Sequence, residues 1–183
     1  MENLKVDKVI ISKQGEYSGN YKKFKEITNK RKIDVVIVNK GDRLNIEKDV
    51  YLDILWPDNN KLLSENILNN NSIVCKLCYK NTSVLFTGDI EEIAENQIVQ
   101  EYENNLEILN STILKVAHHG SKTSSTQELL NAVKPKFALI GVGEDNKFGH
   151  PNSEVVQRLD NIRGKNISHR CYGRNIYNSK YYR

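Results

Sequence analysis

Leu114-Lys115-Val116-Ala117-His118-His119-Gly120-Ser121-Lys122 is the stretch on which the reading of this chain turns. A strand-length apolar run ends in two adjacent imidazoles, then in a glycine that lets the backbone turn, then in a hydroxyl and a cation. Three of the four histidines sit here and in one later loop, His118, His119 and His150, and Phe86-Thr87-Gly88-Asp89 closes an earlier strand on an aspartate. Imidazole nitrogens and carboxylate oxygens are ligand types for zinc, manganese and iron. Strand ends hold such groups rigidly at a place open to solvent. The pattern points to a hydrolytic metal site.

Upstream of that stretch, residues 6–11 have strand character, and Ser18 can cap a helix whose apolar face is Tyr21, Phe24 and Ile27. Residues 33–38, 44–46 and 50–56 read as two or three more strands, separated by Asn39-Lys40-Gly41-Asp42. An asparagine-rich stretch from Pro57 to Asn71 predicts a long loop with one helical turn around Leu62-Leu63. Residues 72–79 and 83–86 predict a hairpin turning at Lys80-Asn81-Thr82. A helix then follows with Ile90, Ile93, Ala94, Ile98 and Tyr102 as its stripe.

Downstream of the strand at 112–117, Ser124 or Ser125 can cap a helix running to Val133, with Leu129 and Leu130 facing inward. Residues 137–140 read as a buried strand feeding the loop Phe148-Gly149-His150-Pro151. A helix over 154–162, capped by Asn152 or Ser153, precedes two short strands near Ile167 and Ile176. Strands and helices alternate from Ser72 onward, which predicts an α/β layered architecture.

Composition bounds the function. At 183 residues and 38% hydrophobic, the chain predicts one globular domain over residues 1–183. The apolar runs are only strand-length and the first residues lack signal-peptide order, so a cytosolic setting is expected. The net charge of +4 comes from lysines spread along the chain, which favours a solvated surface over a dedicated nucleic-acid patch. Even so, Lys115, Lys122 and Lys147 recur around the proposed site, where a phosphate-bearing substrate would benefit from them. Three cysteines are an odd number and predict free thiols. Cys75 and Cys78 form a CxxC, but residues three apart on a strand point to opposite faces, so they read as packing residues.

Each candidate has a plainer reading. Asp89 could cap its helix, with Glu92 completing a capping box. The His-His pair is harder to explain by packing, His150 has no evident core role, and His169 lies in a cation-rich terminal strand and reads as surface. Ser121 beside His119 suggests a nucleophile and base, yet no orienting carboxylate accompanies them, so a role supporting the site or touching substrate is favoured.

Phe86-Thr87-Gly88-Asp89, residues 114–121 and Gly149-His150-Pro151, in that order and spacing, resemble the carboxy-terminal part of the metallo-β-lactamase fold. The likeness is to the domain of that fold in ComEC-type competence proteins, which bring DNA into bacteria, and to its free-standing relatives. It spans essentially the whole chain and is specific over 70–159, with Asn71-Ser72 also matching. The resemblance implies an αββα sandwich with a metal centre at one edge, and hydrolysis of a phosphodiester or related bond. It implies two zinc or manganese ions in a complete domain, with Asp89 as the bridging ligand and His118 or His119 completing one coordination sphere. Ser121, Lys122 and His150 are then candidate substrate contacts, and His150 a catalytic acid at the rim.

The family's His-x-His-x-Asp-His motif does not occur in these residues, and no histidine precedes His118. The chain is therefore expected to be the C-terminal half of the sandwich, binding metal weakly or not at all by itself. Two other classes compete: an inactive or partner-dependent fragment, and a nucleic-acid-binding module without hydrolysis, suggested by the basic balance and the Tyr and Arg residues of the last fourteen positions.

Overall fold

The computed structural model describes residues 4–13, 19–143, 146–162 and 168–172. A first unit is β1 (Lys8–Ser12), α1 (Gly19–Arg31) and β2 (Asp34–Val38), the two strands pairing in parallel. Tyr21, Phe24 and Ile27 are its half-buried helix positions; the proposed cap, Ser18, lies outside the described residues. The second sheet has seven strands in sequence order among the described residues. Strands β3 (Arg43–Glu47), β4 (Val50–Trp56), β5 (Val74–Tyr79) and β6 (Thr82–Phe86) form an antiparallel meander. From β6 onward, β7 (Ile113–Lys115), β8 (Phe137–Gly141) and β9 (Ser168–Tyr172) add in parallel. Their connections contain α3 (Glu92–Glu101), α4 (Gln127–Val133) and α5 (Ser153–Asn161). Parallel neighbours need such crossovers, which is why the alternation begins where the meander ends.

The helices cover one face. Leu85, Leu114 and Ala138 are register neighbours, all buried against Ile90, Ala94 and Ile98 of the α3 region, Leu129, Leu130 and Val133 of α4, and Val155 and Leu159 of α5. On the opposite face, Val84, Ile113 and Phe137 form one register row and Phe86, Lys115 and Leu139 the next. Phe86 and Phe137 there remain 39% and 43% exposed. Cys75 pairs with Phe86 on this open face, whereas Cys78 pairs with Ser83 on the covered one, so the CxxC does point both ways.

Several expected details differ. The helical turn in the asparagine-rich loop is α2 (Ile67–Asn70), not Leu62-Leu63. The reason is the fully buried Asn71: its Oδ1 accepts from the Leu63 N–H and its Nδ2 donates to the Leu63 carbonyl, both at 2.9 Å, which removes those groups from any helix. In α3 the inward position is Glu95 and not Ile93, which is exposed. Helix α4 is capped by Thr126, whose hydroxyl accepts from Leu129 N; Ser124 Oγ is taken by the Ile90 carbonyl, and Ser125, at φ 57, lacks the extended backbone of an N-cap. Asn152 caps α5. The two proposed closing strands centre on Ile167 and Ile176, which lie outside the described residues; β9 runs between them.

Candidate active site at the carboxyl ends of the parallel strands

Strands β6, β7 and β8 all finish at the same edge, and each delivers one part of a side-chain cluster just past its end, as open parallel sheets commonly do. Strand β6 stops at Phe86, and Gly88, at φ +56, turns the chain into Asp89. No side chain fits there, since a Cβ on Gly88 would lie 2.7 Å from that of Ser72. Strand β7 is shorter than the expected 112–117. It ends at Lys115, and Ala117–Gly120 form a tight 3-10 turn in which His118 and His119 both adopt positive φ, 46° and 55°. Left-handed backbone at two consecutive non-glycine residues is strained, and such strain is held only where surroundings over-determine it. Here the His118 N–H is bonded to the Gly88 carbonyl at 3.0 Å, which ties the two strand ends together.

His119 and Asp89 meet. Nε2 of His119 is 3.7 Å from Oδ1 of Asp89, and both side chains are about half exposed. Nδ1 of His119 makes a short hydrogen bond to the Gly141 carbonyl at the end of β8. A carbonyl only accepts, so Nδ1 carries the hydrogen, and in the neutral ring Nε2 presents its lone pair beside the carboxylate. Asp89 does not cap α3, whose N-cap position is Glu91.

His118 turns the other way. Its Nδ1 is buried and lies 3.5 Å from Oε1 of Glu91, within ion-pair range but not aligned for a hydrogen bond. Glu91 is itself anchored, accepting from Asn66 Nδ2 at 2.6 Å and from Thr123 Oγ1 at 3.4 Å. His150 joins from the β8–α5 loop, its ring 5.9 Å from that of His118, edge to face. Burial, and then the neighbouring imidazoles of His118 and His119, hold the His150 pKa below the ordinary histidine value. Gly120 makes this approach possible. A Cβ there would lie 2.7 Å from the Cβ of Pro151, and the Gly120 carbonyl accepts from Asn152 N at 2.8 Å.

Of the other expected contacts, Ser121 is buried with its hydroxyl 3.0 Å from that of Thr123, and Lys122 is exposed. Lys115 Nζ donates to the Val116 carbonyl at 2.8 Å; burial lowers its pKa, and the charge of Asp89 partly offsets this. His169 lies in β9 opposite Ala138. The loop after Ser121 is clamped to α3 by a fully buried carboxylate: Glu95 accepts from Ser125 N at 2.6 Å and Thr126 N at 2.7 Å. Sequence reading missed Glu91 and Glu95. For Glu95 a signal existed, since it sits between two stripe residues at Ala94 and Ile98. For Glu91 none did.

The Asp89–His119 pair can be tested against a metal ion. Two ligands at roughly 2.0–2.1 Å from one tetrahedral ion lie about 3.4 Å apart, close to the observed spacing. The hydrogen bond from His119 Nδ1 to a backbone carbonyl is the usual way a ligating imidazole is oriented. Among the described residues, however, no group of three or more His, Cys, Asp or Glu converges as a metal site. These residues fit part of a metal centre: two donors, oriented but not closed.

Comparison with known proteins bears on the family. Residues 58–144 match the family model described as the metallo-beta-lactamase superfamily. ComE operon protein 3 of Bacillus subtilis (strain 168) is 30% identical over 159 residues, covering 87% of this chain and 20% of that protein. Competence protein ComA of Neisseria gonorrhoeae is 34% identical over 110 residues, 60% of this chain and 15% of that protein. Recombination protein 2 of Haemophilus influenzae (strain ATCC 51907 / DSM 11121 / KW20 / Rd) is 36% identical over 110 residues, 60% of this chain and 13% of that protein. The chain thus spans a fifth or less of the length of these relatives. With Asp89 and the paired histidines inside the matched segment, the chain carries a metallo-β-lactamase superfamily domain related to the ComE operon protein 3 and ComA competence proteins.

Proposed function

We propose that this chain forms part of a metal-dependent phosphodiesterase or nuclease-like centre, and that it corresponds to the C-terminal half of an αββα sandwich. The observation that carries the first statement is the Asp89–His119 pair, with His119 Nδ1 held by the Gly141 carbonyl. The half-open apolar face of the large sheet supports the second, because a sandwich places a second sheet there.

Asp89 and His119 would hold the ion, zinc or manganese by donor type, and when bound such an ion lowers the pKa of a water and stabilises developing negative charge. The remaining steps belong to the chain's own residues. Asp89 offers a second carboxylate oxygen for the bridging role. Glu91 places a carboxylate beside Nδ1 of His118. Lys115, Lys122 and Lys147 attract phosphate, and His150, its pKa held low by burial, can accept and return a proton at a ring nitrogen. Substrate contact by Ser121 is the least supported part, since its hydroxyl already pairs with Thr123. A second reading, a partner-dependent fragment inactive by itself, is favoured by the two-donor set.

Zinc titration of the 183-residue chain by calorimetry tests the assignment. Weak binding is expected, reduced at least about tenfold by Asp89→Ala or His119→Ala, since each removes one of two donors. Zinc retained stoichiometrically through dialysis would overturn the partial-site reading, and unchanged affinity in Asp89→Ala would overturn the ligand. In a longer protein with a complete centre, Asp89→Ala should abolish hydrolysis of bis(p-nitrophenyl) phosphate, whereas His150→Ala should lower turnover and spare metal content.

A further inference from the structure

The segment between the end of β6 at Phe86 and the start of α3 at Glu92 carries two acids of the site, Asp89 and Glu91, and belongs to no regular element. Its backbone groups have no ladder to satisfy them, and the Glu91 side chain makes no cap bond to α3. Other residues must hold it, and three of them come from the asparagine-rich stretch ahead of β5. Asn70 Oδ1 accepts from the Glu91 N–H at 2.9 Å, Ser72 Oγ accepts from the Asp89 N–H at 3.4 Å, and Asn66 Nδ2 donates to the Glu91 carboxylate at 2.6 Å. Asn70 is fully buried with every polar group engaged. Its Nδ2 donates to the Glu65 carbonyl at 2.9 Å and its N–H to the Asn66 carbonyl at 2.8 Å, while its carbonyl accepts from Nε1 of Trp56, the chain's one tryptophan, at 2.7 Å. The Glu91 N–H needs an acceptor and the Glu65 carbonyl a donor. A side-chain amide supplies both from one buried position.

We propose that Asn70 and Ser72 are positioning residues that set the Asp89 and Glu91 carboxylates by holding the backbone between them. The proposal rests on the metal-centre reading above and extends it beyond the donors themselves. Both residues act through main-chain N–H groups and not on an ion. Fixing Asp89 N and Glu91 N from one side leaves little freedom to the turn that aims the Asp89 carboxylate at His119 and the Glu91 carboxylate at Nδ1 of His118. The opposite side of the same turn is held by the histidine loop, through the His118 N–H on the Gly88 carbonyl and the Ser124 hydroxyl on the Ile90 carbonyl. Asn70 also ties this turn to β4 through Trp56, so the acids are placed relative to the sheet and not only to each other.

Zinc calorimetry and amide hydrogen exchange on the 183-residue chain test this. Asn70→Leu keeps the branched shape and removes the acceptor. Exchange at the Glu91 amide should quicken at least about tenfold, and zinc affinity should fall about tenfold, as when a group supporting a ligand is lost. Asn70→Asp keeps an acceptor oxygen and should bind zinc within about threefold of the parent. Equal loss in Asn70→Asp and Asn70→Leu would overturn the proposal. So would an equal loss in Leu159→Ala, a buried truncation on α5, since stability and not position would then be read. Should Asn70→Leu fail to fold, Ser72→Ala carries the test: quicker exchange at the Asp89 amide with weaker zinc binding supports the proposal, and parent-like values for both overturn it. Unchanged affinity in Asn70→Leu beside a loss in Asp89→Ala refutes positioning alone. A quickened Glu91 amide beside unchanged affinity in Asp89→Ala refutes the ligand reading alone.

Discussion

The two faces of the seven-stranded sheet are built from the same strands and end in different states. Leu85, Leu114 and Ala138 are sealed under α3, α4 and α5, while one residue along each strand Val84, Ile113 and Phe137 line a face that is only half covered. Both rows are apolar. Parallel strands carry near-continuous apolar runs when both faces are covered, so composition describes what a face is suited to and not what is packed on it. The candidate site residues lie beyond the carboxyl ends of these same strands.

The largest expected effect tests the sealed face. Leu114→Ala should lower unfolding stability by about 2–5 kcal/mol in urea titration, as buried leucines do, whereas Phe137→Ser should stay within about 1 kcal/mol. Comparable losses at the two positions would mean that the open face is covered in solution. Next comes the clamp beneath the site. Glu95→Gln replaces one acceptor oxygen by a donor opposite the Ser125 or Thr126 N–H, with an expected loss of about 1–3 kcal/mol. Hydrogen exchange should quicken first at those two amides if the carboxylate holds the loop.

The smallest effect reports on the open face. Burial pushes the Cys75 thiol up to about 11 from 9.0, so it should alkylate with iodoacetamide far more slowly at pH 8 than an unhindered thiol. Because the folded pKa is raised, the protonated thiol contributes stability in full below about pH 9. That contribution is lost as pH rises towards 11. Cys75→Ala should flatten the stability profile in that window, and an unchanged slope would show the thiol to be hydrated.

Much of the fold could be read from local pattern. Strand β4 coincides with the run Val50 to Trp56, and the hairpin of β5 and β6, the Asn152 cap and the stop at Lys134 follow from turn and cap chemistry carried by neighbouring residues. Where reading failed, a distant group had intervened. Asn71 pulled Leu63 out of a helix, and the Ile90 carbonyl took the Ser124 hydroxyl and left the cap of α4 to Thr126. A side chain's choice of a partner eight or thirty residues away leaves no periodic trace.

The candidate site divides in the same way. Sequence alone determined which residue types stand after which strands: Asp89 after β6, the His118-His119 pair after β7, and His150 in the loop after β8. That follows from periodicity, glycine placement and short motifs, all of them local. Only the tertiary structure decided that His119 faces Asp89 while His118 faces Glu91, that Asn70 reaches the Glu91 N–H, and that one face of the sheet stays open. The two histidine directions depend on a left-handed turn held by what the neighbouring strand ends offer, the Gly88 and Gly141 carbonyls, and those neighbours exist only once the parallel strands have come together.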